Sequence, residues 1–249
     1  MRILITGSQS KLGAALVRAL SVSHQVRTLD LPAHANGSPP TIAGDPRDRE
    51  VAAEATKDQD VIVCLVPAVG DYPTELDVLD AATRGTYNLI TTASAATRFI
   101  LLSSLRPFER YPAEWWVTES WAPRPTTDVA DLAPYLAELT VREASRVQPL
   151  KAIALRLGEV VDDALVSGKA ADPRWLHVED AVQGVERALA FEPADGQPTN
   201  GWWDLHLVKS VHGARAAKRS RISSSTSSGR ATVAAISSRS KAPYRRRSR

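Results

Sequence analysis

Apolar positions along this chain follow two alternating patterns. Residues 3–5 form a short uninterrupted apolar run, the mark of a buried strand. Between 11 and 20, Leu12, Leu16, Ala19 and Leu20 recur at helical spacing with Arg18 on the opposite side, which predicts an amphipathic helix. A second apolar run at 26–29 ends in Asp30. The stretch LPAHANGSPP then breaks all periodicity and reads as a loop. The same alternation repeats downstream. It predicts a strand at 41–43, a helix from about 48 to 57, and a strand at 60–66 whose unbroken DVIVCLV run suits a position covered on both faces. A long helix over roughly 74–95 and a strand at 99–104 come next. The Pro- and Trp-rich segment 105–131, with Trp115, Trp116 and Trp121, has no period. A helix is expected to start near Pro134, because proline suits a first turn. Strand 150–158, a helix at about 178–191 and a strand at 201–207 complete the pattern. Strands alternating with helices imply an α/β fold built on a doubly wound parallel sheet.

Within that pattern, the first thirty residues carry the clearest chemistry. Strand, glycine turn, helix, strand and acid is the order of a dinucleotide-binding βαβ unit. Gly7 lets the chain leave the first strand in a tight turn, and Gly13 lets the helix pack closely on the strands. Between them Ser10, Lys11 and Leu12 carry the turn into the helix, whose free N–H groups face a pyrophosphate. Ser10 stands where a glycine would let the phosphates approach nearest. Asp30 is placed to accept hydrogen bonds from the ribose hydroxyls, which favours NAD over NADP.

Composition narrows the remaining choices. A chain of 249 residues has enough length for one domain or two. No apolar run reaches membrane-spanning length, and no charged-then-apolar leader precedes the first strand, so a cytoplasmic protein without membrane association is expected. The single Cys64 lies in an apolar strand; it excludes an intrachain disulfide and reads as core. No His, Cys, Asp and Glu set has metal-ligand spacing, so no metal site is expected. The net charge of +3 hides a division: 12 of the 31 basic residues lie beyond Asp204, where no acid occurs, leaving 19 against 28 acidic residues before it. The chain therefore divides into a cofactor domain with a small substrate lobe over 1–208 and a basic Ser/Arg-rich tail over 209–249. The tail is expected to be disordered; nucleic-acid binding through it is the less favoured reading.

Several motifs in one order resemble the extended short-chain dehydrogenase/reductase family, the NAD-dependent epimerase/dehydratase group. They are TGSQSKLG with Asp30, GDPRD at 44–48, DVIVCLV at 60–66, NLI at 88–90, FILLSS at 99–104, WVTESWAPRPT before the next helix, LRLGEVV, and LHVEDAVQGVERAL. The resemblance runs from Met1 to about Asp204. It implies a Rossmann-type fold with a reduced C-terminal substrate lobe, an Asp45 that contacts adenine, a Leu65 that lines the cofactor cleft, and a small-molecule substrate that is sugar-like or another carbonyl or alcohol. It also implies homodimerisation through the helices at 74–95 and 134–147.

The same resemblance assigns Tyr135 as acid/base and Ser104 as the catalytic serine, with Ser103 as the alternative. One position departs from the family. Its Tyr is followed four residues later by a Lys that lowers the phenol pKa and holds the nicotinamide ribose, one turn away on the same face; here that residue is Leu139. An unassisted phenol, titrating near ~10, is a poor base at neutral pH. Arg142, seven residues from Tyr135 and two turns on along the same face, is the long-reach substitute. The tryptophans are read either as a wall of the substrate pocket or as ordinary packing. His177 is read as structural, with Asp180 capping the helix that follows. Two functions remain open: an NAD-dependent oxidoreductase or epimerase of weakened activity, and a catalytically silent NAD-binding protein used for structure or sensing.

Overall fold

In a computed structural model describing residues 1–33, 35, 39–95, 97–112, 115, 117–170, 172–192 and 201–207, the apolar runs become the middle of one parallel sheet. Strand β1 (Arg2–Thr6) buries Ile3, Leu4 and Ile5 completely. It pairs with β2 (Gln25–Asp30) on one side and β4 (Val61–Leu65) on the other. β3 (Thr41–Ala43), β5 (Arg98–Ser104), β6 (Lys151–Leu157) and β9 (Gly201–Leu207) extend the sheet to seven parallel strands, in the order β3-β2-β1-β4-β5-β6-β9. The remaining two strands, β7 (Glu159–Val161) and β8 (Trp175–His177), form a separate parallel pair. The chain winds outward from β1 through β2 and β3, then crosses back to β4, so the switch point lies between β1 and β4. In open sheets of this kind, ligands bind at the carboxyl ends of the strands beside that reversal.

Among the described residues, α1 (Lys11–Leu20), α2 (Arg49–Thr56), α3 (Glu75–Asp80), α4 (Thr86–Thr92), α5 (Val129–Val147) and α7 (Val178–Leu189) cover the two faces, while the short α6 (Asp163–Val166) buries none of its residues. Strand alternation sends Ile3, Ile5, Val63, Ile100 and Leu102 against α1 and α7, where Leu16, Leu20 and Val185 meet them. Leu4, Ile62, Phe99 and Leu101 face the other way, against Val78, Leu89, Ala137 and Val141 of α3, α4 and α5. Cys64 is buried in this second core, and burial pushes its thiol up to about 11. No helix among the described residues is long and apolar enough to cross a membrane.

Three elements differ from the pattern-based expectation. The helix expected at 74–95 is interrupted by a π-helical turn, Ala81–Gly85, between α3 and α4. There Gly85 lies against Pro46, with room for a Cβ only at 3.3 Å from the proline ring. α5 starts five residues before Pro134, because the Asp128 carboxylate accepts from the Ala130 N–H and because Val129, Asp131 and Ala133 are buried there. Pro134 thus sits in the second turn rather than the first, where it removes one helical hydrogen bond. His177, not Asp180, caps α7: its Nδ1 accepts from the Glu179 N–H. Trp116 and the tail at 209–249 lie outside the described residues.

Candidate cofactor cleft and active site

Gly7 leaves β1 with a φ of +69°, a conformation that glycine alone adopts without penalty. The turn it makes brings the start of α1 against its own carbonyl. A Cβ at Gly13 would overlap the Gly7 carbonyl oxygen and lie 2.8 Å from Ser8 Cα. This close approach is what the glycine spacing encodes. Ser10 has an ordinary φ of −67° and caps α1. Its hydroxyl accepts from the Gly13 N–H at 3.0 Å and donates to the Gly7 carbonyl at 2.9 Å. The serine that replaces the middle glycine therefore holds the turn closed. The N–H groups of Lys11 and Leu12, in the first helical turn, have no intrahelical acceptor and remain for an anion at the positive end of α1. The Lys11 ammonium itself pairs with Asp162 at 2.7 Å. Leu65, at the end of β4, packs beside Gly7, and its N–H donates to the Thr6 hydroxyl at 3.1 Å.

Parallel pairing brings Asp30 to the carboxyl end of β2, next to β1. Its carboxylate is buried and accepts from the Ser8 N–H at 2.7 Å and the Ser8 hydroxyl at 2.6 Å. The Asp30 carbonyl accepts from the Gly44 N–H, which ties β2 to the loop bearing Asp45. Asp45 is pinned in turn. Arg47 donates to it from Nε at 2.9 Å and from the backbone, and the Tyr72 hydroxyl lies 3.4 Å away. Arg47 also pairs with Asp77 at 2.7 Å and stacks over the Tyr72 ring. Asn88, buried on α4, donates to the carbonyls of Pro46 and Arg47. It clamps this loop from below, and the π-turn beside Gly85 sets its position.

The candidate catalytic residues Ser103, Ser104 and Tyr135 lie on β5 and α5. Ser103 and Ser104 leave β5 on opposite sides. Ser103 donates to Glu138 Oε1 of α5 at 2.6 Å, whereas the Ser104 hydroxyl accepts from the Arg106 N–H at 3.1 Å. Tyr135 is half-buried and shares a helical face with the buried Asp131 and Glu138. Among the described residues no hydrogen bond joins its hydroxyl to either serine. Arg142 pairs with Glu143 at the exposed side of α5. Next to Leu139 stands a buried ionic cluster. Arg156 of β6 donates to both oxygens of Glu138, pairs with Asp204 of β9 at 2.8 Å and lies over the Phe108 ring. Burial opposes its charge, but the bonds to Glu138 outweigh that and hold the guanidinium protonated. Burial, followed by the field of Arg156, pushes His206 down to about 3. Tyr111, Trp115 and Trp121 pack on one another, with Arg124 over the Tyr111 ring.

Sequence reasoning missed four of these residues. Ser8 carries no pattern signal beyond being polar inside a glycine turn. Glu138 is a charge within the apolar stripe of Ala133, Ala137 and Val141, and Arg156 is a charge within the apolar run IALRL; both breaks were readable as buried pairing partners. Asn88 stands in a family landmark, but nothing local assigns its two carbonyl partners.

A glycine-closed turn at the mouth of a parallel sheet, with an acid at the end of the neighbouring strand, defines a dinucleotide-binding domain of the Rossmann class. The NAD dependent epimerase/dehydratase family matches residues 3–163, and the chain belongs to that family. None of the curated proteins matches it. Solved structures share its fold. A short-chain dehydrogenase/reductase superfamily protein from Agrobacterium tumefaciens with bound NAD is 20% identical, with a TM-score of 0.66 over 84% of this chain and 77% of that one. dTDP-glucose 4,6-dehydratase from Bacillus anthracis, in complex with NAD, is 17% identical, with a TM-score of 0.66 over 84% and 76%. UDP-glucose 4-epimerase from Thermotoga maritima, with UDP-glucose, is 16% identical, with a TM-score of 0.65 over 84% and 77%.

Proposed function

We propose that this chain binds NAD along the carboxyl ends of β1, β2 and β4 and acts on a sugar-like small molecule as an epimerase, dehydratase or oxidoreductase of reduced activity. The observation that carries this reading is the phosphate cradle: Gly13 has no room for a Cβ against the Gly7 carbonyl, and that approach leaves the first N–H groups of α1 open. The residues fit the cofactor. Lys11 and Leu12 would meet the pyrophosphate through their backbones, Asp30 the ribose, Leu65 the cleft wall and the Asp45 loop the adenine. Bound NAD would supply a hydride acceptor and donor. Tyr135 would exchange the proton of the substrate hydroxyl, and Ser104, whose own proton is not committed to Arg106, would donate to the same oxygen. Ser103 is the weaker candidate, since its proton is directed to Glu138. Substrate would enter from the side of Trp115 and Trp121. A homodimer through α3, α4 and α5 and a cytoplasmic location fit the same reading.

Leu139 favours a second reading, a silent NAD-binding protein. It places an apolar side chain one turn from Tyr135, where the resembled family has its lysine. Calorimetric titration decides the shared premise: NAD is expected to bind more tightly than NADP, and equal or reversed preference removes the assignment of Asp30. Turnover of nucleotide sugars, followed by chromatography of the products, separates the two readings. Activity that is measurable in the wild type and absent in Tyr135→Phe establishes the enzyme. Activity that appears only in Leu139→Lys establishes the silent protein.

A further inference from the structure

Resting on the reading of this cleft as an NAD site, we propose that Ser8 is a positioning residue that fixes the Asp30 carboxylate for the vicinal diol of the adenosine ribose and thereby sets the preference for NAD over NADP. The terminal torsion of an aspartate is broad, so a carboxylate held at one oxygen can swing. Ser8 holds both: its N–H donates to Oδ1 at 2.7 Å and its hydroxyl to Oδ2 at 2.6 Å. Gln9 Nε2 donates to the Ser8 oxygen at 3.2 Å, so the hydroxyl proton is left for Asp30. Ser8 cannot drift, because Gly7 turns it back toward β2 and Gly13 packs against its Cα. Both residues are more than nine-tenths buried, where water does not compete and such bonds to an acid are strong.

Each carboxylate oxygen has two lone pairs, so the fork leaves one on each for a neighbouring pair of hydroxyls. A phosphate on one of those hydroxyls would put negative charge against the acid. Among the described residues, three cations of the neighbouring segments are committed elsewhere: Arg47 to Asp45 and Asp77, Lys11 to Asp162, and Arg27 to the carbonyls of Glu54 and Lys57.

The test is calorimetric titration of NAD and NADP into the wild type, Ser8→Ala, Asp30→Ala and the double variant, with thermal unfolding of each as the check on folding. Ser8→Ala is expected to weaken NAD about tenfold while changing NADP less than about twofold, so the preference narrows. In the Asp30→Ala background the serine change is expected to have no further effect, because its action runs through that carboxylate. Ser8→Cys, a weaker donor of nearly the same size, should give an intermediate loss, and it carries the test if Ser8→Ala does not fold. Unchanged or tighter NAD binding in the Ser8 variants overturns the proposal, as does equal loss of both dinucleotides or the same loss without Asp30. If the wild type binds neither dinucleotide, the NAD reading of the cleft fails first, which separates that failure from this one.

Discussion

Single residues explain how the strand end that carries the two candidate serines is held. Glu138 and Arg156 are each less than a tenth exposed, and neither would be tolerated there alone. A buried ion pair adds little net stability, yet removing one partner strands the other charge in a dry interior. Arg156→Met is therefore expected to cost about 3–5 kcal/mol in denaturant unfolding, since it leaves both Glu138 and Asp204 unpaired. Pairing it with Glu138→Leu should recover part of that loss. If Arg156→Met costs no more than an ordinary surface change, the cluster is not the buried unit described. The pair also explains the local arrangement: Arg156 holds the Glu138 carboxylate, which in turn accepts from Ser103 and fixes its hydroxyl.

At the scale of elements, two glycines make the same steric statement with different consequences. A Cβ at Gly13 would strike backbone, the Gly7 carbonyl and Ser8 Cα, whereas a Cβ at Gly184 of α7 would strike only the end of the Leu207 side chain. Backbone in a tight turn cannot yield, but a leucine can rotate. Gly13→Ala is expected to destabilise by about 2 kcal/mol or more and to abolish dinucleotide binding. Gly184→Ala should cost at most about 1 kcal/mol and leave binding intact. Thermal unfolding and NAD titration of the two variants check this contrast. Comparable losses in both would show that the turn is looser than its geometry implies. Helix boundaries follow the same logic. Pro134 suggested a first turn, but burial of Val129 and Ala133 and the Asp128 cap start α5 earlier, because packing outweighs the loss of one backbone hydrogen bond.

For the whole molecule, buried titratable groups link stability to pH. His206 is buried beside Arg156 and its ring faces Phe108, while its backbone N–H donates to Glu119. Its pKa of about 3 lies far below that of an unfolded histidine. Between those values the unfolded chain binds a proton that the folded one refuses, so this contribution is full above ~6.5 and is lost as pH falls toward 3. At pH 4 the loss is on the order of 3 kcal/mol. Asp204, raised by burial, acts in the opposite sense in its own lower range. His206→Gln is accordingly expected to flatten the acid limb of a stability–pH curve between about 6.5 and 4, read by denaturant midpoint at each pH. An unchanged slope would remove His206 as its cause. The doubly wound parallel class of the sheet was legible because central strands such as β4 and β5 are continuous apolar runs alternating with helices, whereas the order of its strands rests on which edges pair.

The sequence by itself determined the alternation of strands and helices, the glycine turn with its acid at residue 30, and the presence of a leucine at 139. These depend on periodicity, on the absence of a Cβ, and on residue identity, all of which are local. Only the tertiary structure decided that Ser8 grips Asp30, that Arg47 and Tyr72 hold Asp45, that Asn88 clamps the loop between them, and that Ser103 turns to Glu138 while Ser104 does not. Those contacts join residues from different strands and helices. Their partners are chosen by sheet register and by the cost of burying an unpaired polar group, which no single stretch of chain records.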